Sequence, residues 1–254
     1  MRVVILAAGF ATRMYPLTLD RPKPLLDVAG RTVLSRILDR IETIPGIEDL
    51  LVLTNARFEA AFLSFAATEN RGFPISVLAD DARTAEERLG AIGDLDFLMS
   101  RRPEYLEAAD GVLVVSGDNL VDFDLAPHAY RFRHGSTPLL LARRLPEPVP
   151  PARFSEVLLA PDGRVLRFRE KPSRPESDLS CVGIYFLDSA ALQLVAEYLG
   201  GGGNPDAPGH FIAWLSTRMP LFADRIEGGF HDIGCLESLE AARAIFGSGK
   251  ETSR

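Results

Sequence analysis

The hydrophobic spacing of the first 120 residues alternates between two patterns. Val3 to Ala8 is an unbroken apolar run, as expected of a parallel strand buried on both faces. A polar, proline-containing loop follows. Leu34, Ile37, Leu38 and Ile41 then recur at helical spacing, which predicts a helix opened by Thr32. Leu50 to Leu53 predicts a second strand, Phe58 to Ala67 a helix, Ile75 to Leu78 a third strand, and Gly111 to Ser116 a fourth. Strands alternating with helices predict an α/β fold with a doubly wound, mostly parallel sheet.

After residue 136 the pattern changes. Leu139 to Ala142, Phe154 to Ala160, Val165 to Arg169 and Val182 to Leu187 read as strands without long helices between them. Pro161-Asp162-Gly163 predicts a turn joining two of these strands. Together they predict a smaller, partly antiparallel layer added to the first sheet. Gly200 to Gly203 with Asn204-Pro205 reads as a flexible loop before a helix around Phe211 to Arg218. A last helix spans Leu236 to Phe246, and residues 247–254 are expected to be a disordered tail. The reading is a single domain over 1–246, in two halves at 1–135 and 136–246.

Composition narrows the function. A net charge of −7 without a dense Lys/Arg run argues against a nucleic-acid groove, so a phosphate ligand would need a few well-placed cations. No apolar run approaches the ~18 residues of a membrane span. The six-residue run at the N-terminus is also too short for a secretory core. Cys181 and Cys235 lack CxxC pairing and read as small buried hydrophobes in a reducing cytoplasm. The four histidines lack zinc-binding spacing.

Candidate chemistry concentrates in the loop after the first strand, Leu6-Ala7-Ala8-Gly9-Phe10-Ala11-Thr12-Arg13-Met14-Tyr15-Pro16-Leu17-Thr18, followed by Arg21-Pro22-Lys23-Pro24-Leu25-Leu26. Ligands of open α/β sheets bind at the carboxyl ends of strands. Small residues there let backbone N–H groups approach a polyphosphate, and Gly9 has no Cβ to obstruct it. Arg13 adds charge, and Pro22 and Pro24 restrict the backbone around Lys23. The dinucleotide fingerprint is absent, since Ala11 and Met14 occupy its second and third glycine positions. A dinucleotide-dependent oxidoreductase is therefore disfavoured.

This segment resembles the signature of the sugar-1-phosphate nucleotidyltransferases, L-A-A-G-x-G-T-R-x-x-P-L-T…P-K-P-L, with Ala11 where glycine is usual. The resemblance implies a Rossmann-like, glycosyltransferase-A-like fold in a short form without a C-terminal β-helix. It also implies a nucleotide site at Leu6, Ala8, Gly9, Ala11 and Thr12, with Arg13 and Lys23 at the reacting phosphates. Asp118, in Ser116-Gly117-Asp118-Asn119, matches the family's metal-binding acid, although Asp-Asn alone is also a common turn. Asp232, in Phe230-His231-Asp232-Ile233-Gly234, matches W-x-D-x-G and implies a second magnesium ligand. Taken alone, Asp232 reads as the N-cap of the last helix.

Glu170-Lys171-Pro172 resembles the family's E-K-P, which implies that Glu170 and Lys171 bind the acceptor. Val182-Gly183-Ile184-Tyr185 resembles its G-I-Y strand, bringing Gly183 and Tyr185 to the same ligand. The match breaks at Phe154-Ser155-Glu156-Val157, where Y-G-V-V-E is usual. Glu87 to Gly93 is the expected base segment, with Gly90 against the base, and the resemblance favours a pyrimidine.

The implied reaction joins a nucleoside triphosphate to a sugar 1-phosphate with magnesium, releasing pyrophosphate. Two alternatives stand beside it. One is a cytidylyltransferase acting on a phosphorylated alcohol such as inositol or choline phosphate. The other is a non-catalytic regulatory subunit that binds nucleotide-sugar. No nucleic-acid or membrane partner is expected, and self-association is left open.

Overall fold

The computed structural model describes residues 1–135 and 137–248. In chain order it contains β1 (Arg2–Leu6), β2 (Asp27–Val28), β3 (Arg31–Thr32), α1 (Val33–Ile41), β4 (Asp49–Asn55), α2 (Glu59–Thr68) and β5 (Ile75–Asp80). There follow α3 (Ala91–Arg101), β6 (Val112–Ser116), β7 (Asn119–Val121), α4 (Ala126–Gly135), β8 (Leu139–Arg144), β9 (Glu156–Leu159), β10 (Val165–Arg169) and β11 (Leu179–Leu187). The chain continues through α5 (Ser189–Gly200), α6 (Pro208–Leu215), β12 (Phe222–Arg225), β13 (Phe230–Asp232) and α7 (Leu236–Gly247).

Seven strands form one mixed, mainly parallel sheet in the order β12-β8-β11-β6-β1-β4-β5. β4 and β5 run parallel, with Leu50 opposite Ile75. β8 runs parallel to β12 and antiparallel to β11. The predicted order of strand, helix, strand, helix and strand is borne out by β1, α1, β4, α2 and β5, and the fourth predicted strand by β6. Val3, Val4 and Ile5 are fully buried, as an apolar run in a parallel sheet requires. Thr32 caps α1 by accepting a hydrogen bond from Ser35 N at 3.0 Å, and the stripe Leu34, Ile37, Leu38 and Ile41 is buried.

The chain divides into two compact units. One comprises Val3–Arg88, Val115–Ala126 and, among the described residues, 228–248. In it the Arg36 guanidinium lies 4.5 Å from the Phe246 ring centroid, and the Phe246 and His231 rings meet at 78° with centroids 5.7 Å apart. The other comprises Met1–Arg2, Leu89–Val114 and Pro127–Glu227. Its core includes the rings of Tyr198, Phe211 and Trp214, packed 5.4 to 6.2 Å apart.

Several expectations are corrected. Ala7 and Ala8 lie beyond the end of β1. The strands expected at 154–160 and 182–187 are Glu156–Leu159 and Leu179–Leu187. β8 and β11 belong to the central sheet, and only β9 and β10 form a separate antiparallel pair. The helix expected at 211–218 is Pro208–Leu215, since Pro208 suits the first turn of a helix. The glycine run before it is anchored: Gly203 N donates to Tyr198 O, and the Tyr198 hydroxyl donates to Asn204 O at 3.0 Å. Helices α3, α4 and α5 had no counterpart in the hydrophobic reading. Gly247 is the last residue of α7, and the rest of the expected tail, from 249, lies outside the described residues. Cys235 is exposed at the start of α7, not buried.

Candidate active site

The loop after β1 is anchored at its root. Ala7 N donates to Leu53 O at 2.8 Å, and buried Asn55 donates from Nδ2 to Ala8 O at 2.8 Å. Gly9 is exposed, and a Cβ there would meet nothing within 4 Å, so the backbone faces open space. Ala11 is held in the left-handed region, at φ 49° and ψ 42°. Thr18, only 1% exposed, stabilises that turn by donating from Oγ1 to Ala11 O at 2.9 Å. The positive φ is the physical reason glycine is usual at this position. Thr12 to Met14 form a short 3-10 turn in which Met14 is buried and Arg13 exposed.

Lys23 opens a second 3-10 turn. The turn is preceded by Pro22 in an extended conformation and stabilised by buried Pro24. Lys23 Nζ donates to Asp118 Oδ2 at 2.7 Å. Gly117 sets the place of Asp118. A Cβ on Gly117 would stand 2.9 Å from Leu6 O, the same carbonyl that its N–H donates to at 2.9 Å. Glycine is required for that close approach, which brings Asp118 beside the first loop.

Asp232 ends β13, which pairs antiparallel with β7 so that Asp232 faces Asn119. Ile233 N donates to Asp118 O at 3.1 Å. The N-cap of α7 is Cys235, so Asp232 does not cap that helix. Arg13, Lys23, Asp118 and Asp232 line one cavity of about 460 Å³, together with Gly9, Ala11 and Thr12. Ala85 and Arg88 also line it. The sequence reading gave neither a role, and the only signal was that Arg88 is a cation within the expected base segment.

Leu6, Ala8 and Gly90 are not among the lining residues. Leu6 and Ala8 contribute the carbonyls already described. Gly90, at φ +81°, is buried where a Cβ would stand 2.6 Å from Pro205 O. The first N–H groups of α3 donate to Asp206 O and Pro205 O. The glycine at 90 is thus required by backbone packing within its own unit.

Glu170 and Lys171 lie in that same unit, after β10. The Glu170 carboxylate presses against the start of α6, where a Cβ on Gly209 would collide with it. Burial raises the Glu170 carboxyl above the usual glutamate range, and the charges of Lys171 and His210 offset part of that rise. Lys171 Nζ is 3.8 Å from Glu170 Oε1, and its backbone is left-handed, at φ 44°. The β8–β11 register shifts between Cys181 and Tyr185, and Gly183 takes φ +71° in that irregularity. Tyr185 is 5% exposed, and burial raises its phenol. Burial also pushes the Cys181 thiol up to about 11, so it stays protonated at neutral pH.

The pair Asp118 and Asp232 offers oxygen donors only. Magnesium takes one or two carboxylates and completes its shell with phosphate oxygens and water, so the donor set fits that ion.

Residues 2–246 match the family model described as nucleotidyl transferase. Over 242 residues the chain is 25% identical to a UTP–glucose-1-phosphate uridylyltransferase of Synechocystis sp., covering 92% of this chain and 60% of the relative. A glucose-1-phosphate thymidylyltransferase of Neisseria meningitidis serogroup A is 29% identical over 226 residues, covering 87% of this chain and 71% of the relative. The chain thus spans little more than half the length of the Synechocystis relative. The crystal structure of apo UDP-glucose pyrophosphorylase aligns with a TM-score of 0.80 at 15% identity, covering 98% of each chain, which is a likeness of fold.

Proposed function

The chain belongs to the nucleotidyl transferase family, and on that premise we propose that it transfers a nucleotidyl group from a nucleoside triphosphate to a sugar 1-phosphate, releasing pyrophosphate. The observation that carries this reading is the convergence of Arg13, Lys23, Asp118 and Asp232 on one cavity. Two cations and two acids in one small space suit a magnesium-bound triphosphate. The names of the relatives, a uridylyltransferase and a thymidylyltransferase, favour a pyrimidine nucleotide and a hexose 1-phosphate.

The acceptor's phosphate oxygen attacks the α-phosphorus in line, and pyrophosphate leaves opposite. The attacking phosphate is already ionised at neutral pH, so no protein base is required. Catalysis is then positioning and charge neutralisation. The backbone around Gly9 and Ala11 approaches the triphosphate, Arg13 takes the charge growing on pyrophosphate, and Lys23 donates to the α-phosphate oxygens. Asp118 and Asp232 would hold magnesium, which supplies further neutralisation on the phosphate oxygens when bound. Glu170 accepts from acceptor hydroxyls, and Lys171 pairs with its phosphate. The reaction is placed in the cytoplasm, a compartment that suits Cys181 and Cys235 as free thiols.

A matrix of nucleotides against phosphorylated acceptors, read by pyrophosphate release with magnesium, tests the reading. Release with a sugar 1-phosphate supports it. Release only with CTP and an alcohol phosphate would shift the assignment to a cytidylyltransferase, and binding without release would indicate a sensor.

A further inference from the structure

We propose that Glu156 is a positioning residue for the acceptor, acting through Arg169 on the segment that carries Glu170 and Lys171. The proposal rests on the reading of those two residues as acceptor ligands. Its starting point is the place where the family motif breaks, at Ser155 and Glu156.

Glu156 is only 1% exposed, and a carboxylate so buried requires full pairing. The pairing is complete. Oε2 accepts from Arg169 Nε at 2.7 Å and lies 2.6 Å from Nη2, while Oε1 accepts from Ser177 N at 2.7 Å and from Glu176 N. Burial pushes the carboxyl up, but the Glu176 N–H, the Arg169 guanidinium and the Ser177 N–H together hold it below the usual glutamate range.

These partners lie at opposite ends of one loop. Arg169 is the last residue of β10, directly before Glu170, and Glu176 and Ser177 lie beyond Lys171 and Pro172. The β9–β10 register sets Arg169 opposite Glu156. One carboxylate therefore ties both ends of the loop to β9. Arg169 Nη2 also donates to Arg174 O at 3.0 Å, and Ser177 Oγ donates to Val157 O at 2.8 Å.

Glu170 follows Arg169 directly, at the bend that ends β10. With Arg169 drawn to Glu156, Glu170 is directed against Gly209. Lys171 sits at φ 44°, a conformation that persists only where its surroundings impose it. Ser155, at the motif's usual glycine, accepts from Cys181 N at 3.1 Å and so braces the same region from inside.

Glu156→Gln keeps the shape and removes the charge, and Arg169→Gln removes the partner. Each would be assayed by pyrophosphate release, with glucose 1-phosphate as acceptor probe and UTP and dTTP as nucleotides, after circular dichroism has confirmed the fold. The expected result is a KM for glucose 1-phosphate raised about tenfold, with the nucleotide KM unchanged within about twofold. The double variant should be no worse than the worse single one, as for two halves of one interaction. Lys171→Ala serves as the control and should raise the same KM. If Lys171→Ala raises it and neither Gln variant does, the positioning role is overturned. If Lys171→Ala leaves it unchanged, the reading of the acceptor site itself fails and the role of Glu156 falls with it. Should Glu156→Gln not fold, Arg169→Gln, at a part-exposed position, decides alone.

Discussion

Lys23 Nζ donates to Asp118 Oδ2 across 2.7 Å, joining two residues 95 positions apart in the chain. The pair links the loop after β1 to the end of β6, and it sets the proposed phosphate ligand beside the proposed metal ligand. Both side chains are partly exposed, and such pairs contribute at most about 1 kcal/mol to stability. Lys23→Ala should therefore leave the melting temperature within about 3 °C of wild type. It should lower kcat roughly a hundredfold or more, the scale of one lost transition-state donor. Thermal melting beside a pyrophosphate assay checks both halves.

Ala11 bears the cost of a left-handed backbone that glycine would not. Ala11→Gly is expected to stabilise the protein by roughly 0.5–1 kcal/mol while nucleotide binding is retained. A fall in melting temperature would contradict the strain argument.

Thr54, on β4, is fully buried, and its hydroxyl finds no hydrogen-bond partner among the described residues. Replacing a buried, unpaired hydroxyl with a methyl group removes a desolvation cost at nearly constant shape. Thr54→Val is expected to match or exceed wild-type stability in urea, with m unchanged.

Glu170 has its carboxyl raised by burial, so the folded state binds that proton more tightly than the unfolded chain. An acid shifted this way favours folding at low pH, and the benefit is lost as pH rises through its folded-state value. At neutral pH the ionised carboxylate is a burden on the fold. Glu170→Gln is therefore expected to melt higher than wild type at neutral pH, the difference shrinking as pH falls toward the ordinary glutamate range of about 4. The same variant should bind glucose 1-phosphate less well. Melting curves across pH check the sign.

How much was legible in the sequence depended on how local the cause was. Strands β1, β4, β5 and β6 and helix α1 follow from spacing and one cap at Thr32, both confined to short windows. The first loop could be read because Gly9, Arg13 and the Pro-flanked Lys23 are chemically specific residues in one stretch. Helix α5 carries its signal in one residue, Asp188, which accepts from Ala191 N at 2.8 Å as an N-cap before a buried stripe. The glycine run at 200–203 misled because its restraint comes from the Tyr198 ring and hydroxyl, which composition does not reveal. Gly90 reads from the sequence as a residue against the base, whereas its need for glycine comes from Pro205, more than a hundred residues away. The Glu156 clamp was likewise hidden, since each of its partners is an ordinary residue until the loop closes.

The direct test of the account is pyrophosphate release by wild type and Asp118→Asn, with UTP or dTTP, glucose 1-phosphate and magnesium. The account predicts release by wild type only when nucleotide, acceptor and magnesium are all present, and a loss of roughly a hundredfold or more in Asp118→Asn. An Asp118→Asn rate equal to wild type, or wild-type release undiminished by chelation of magnesium, would contradict it.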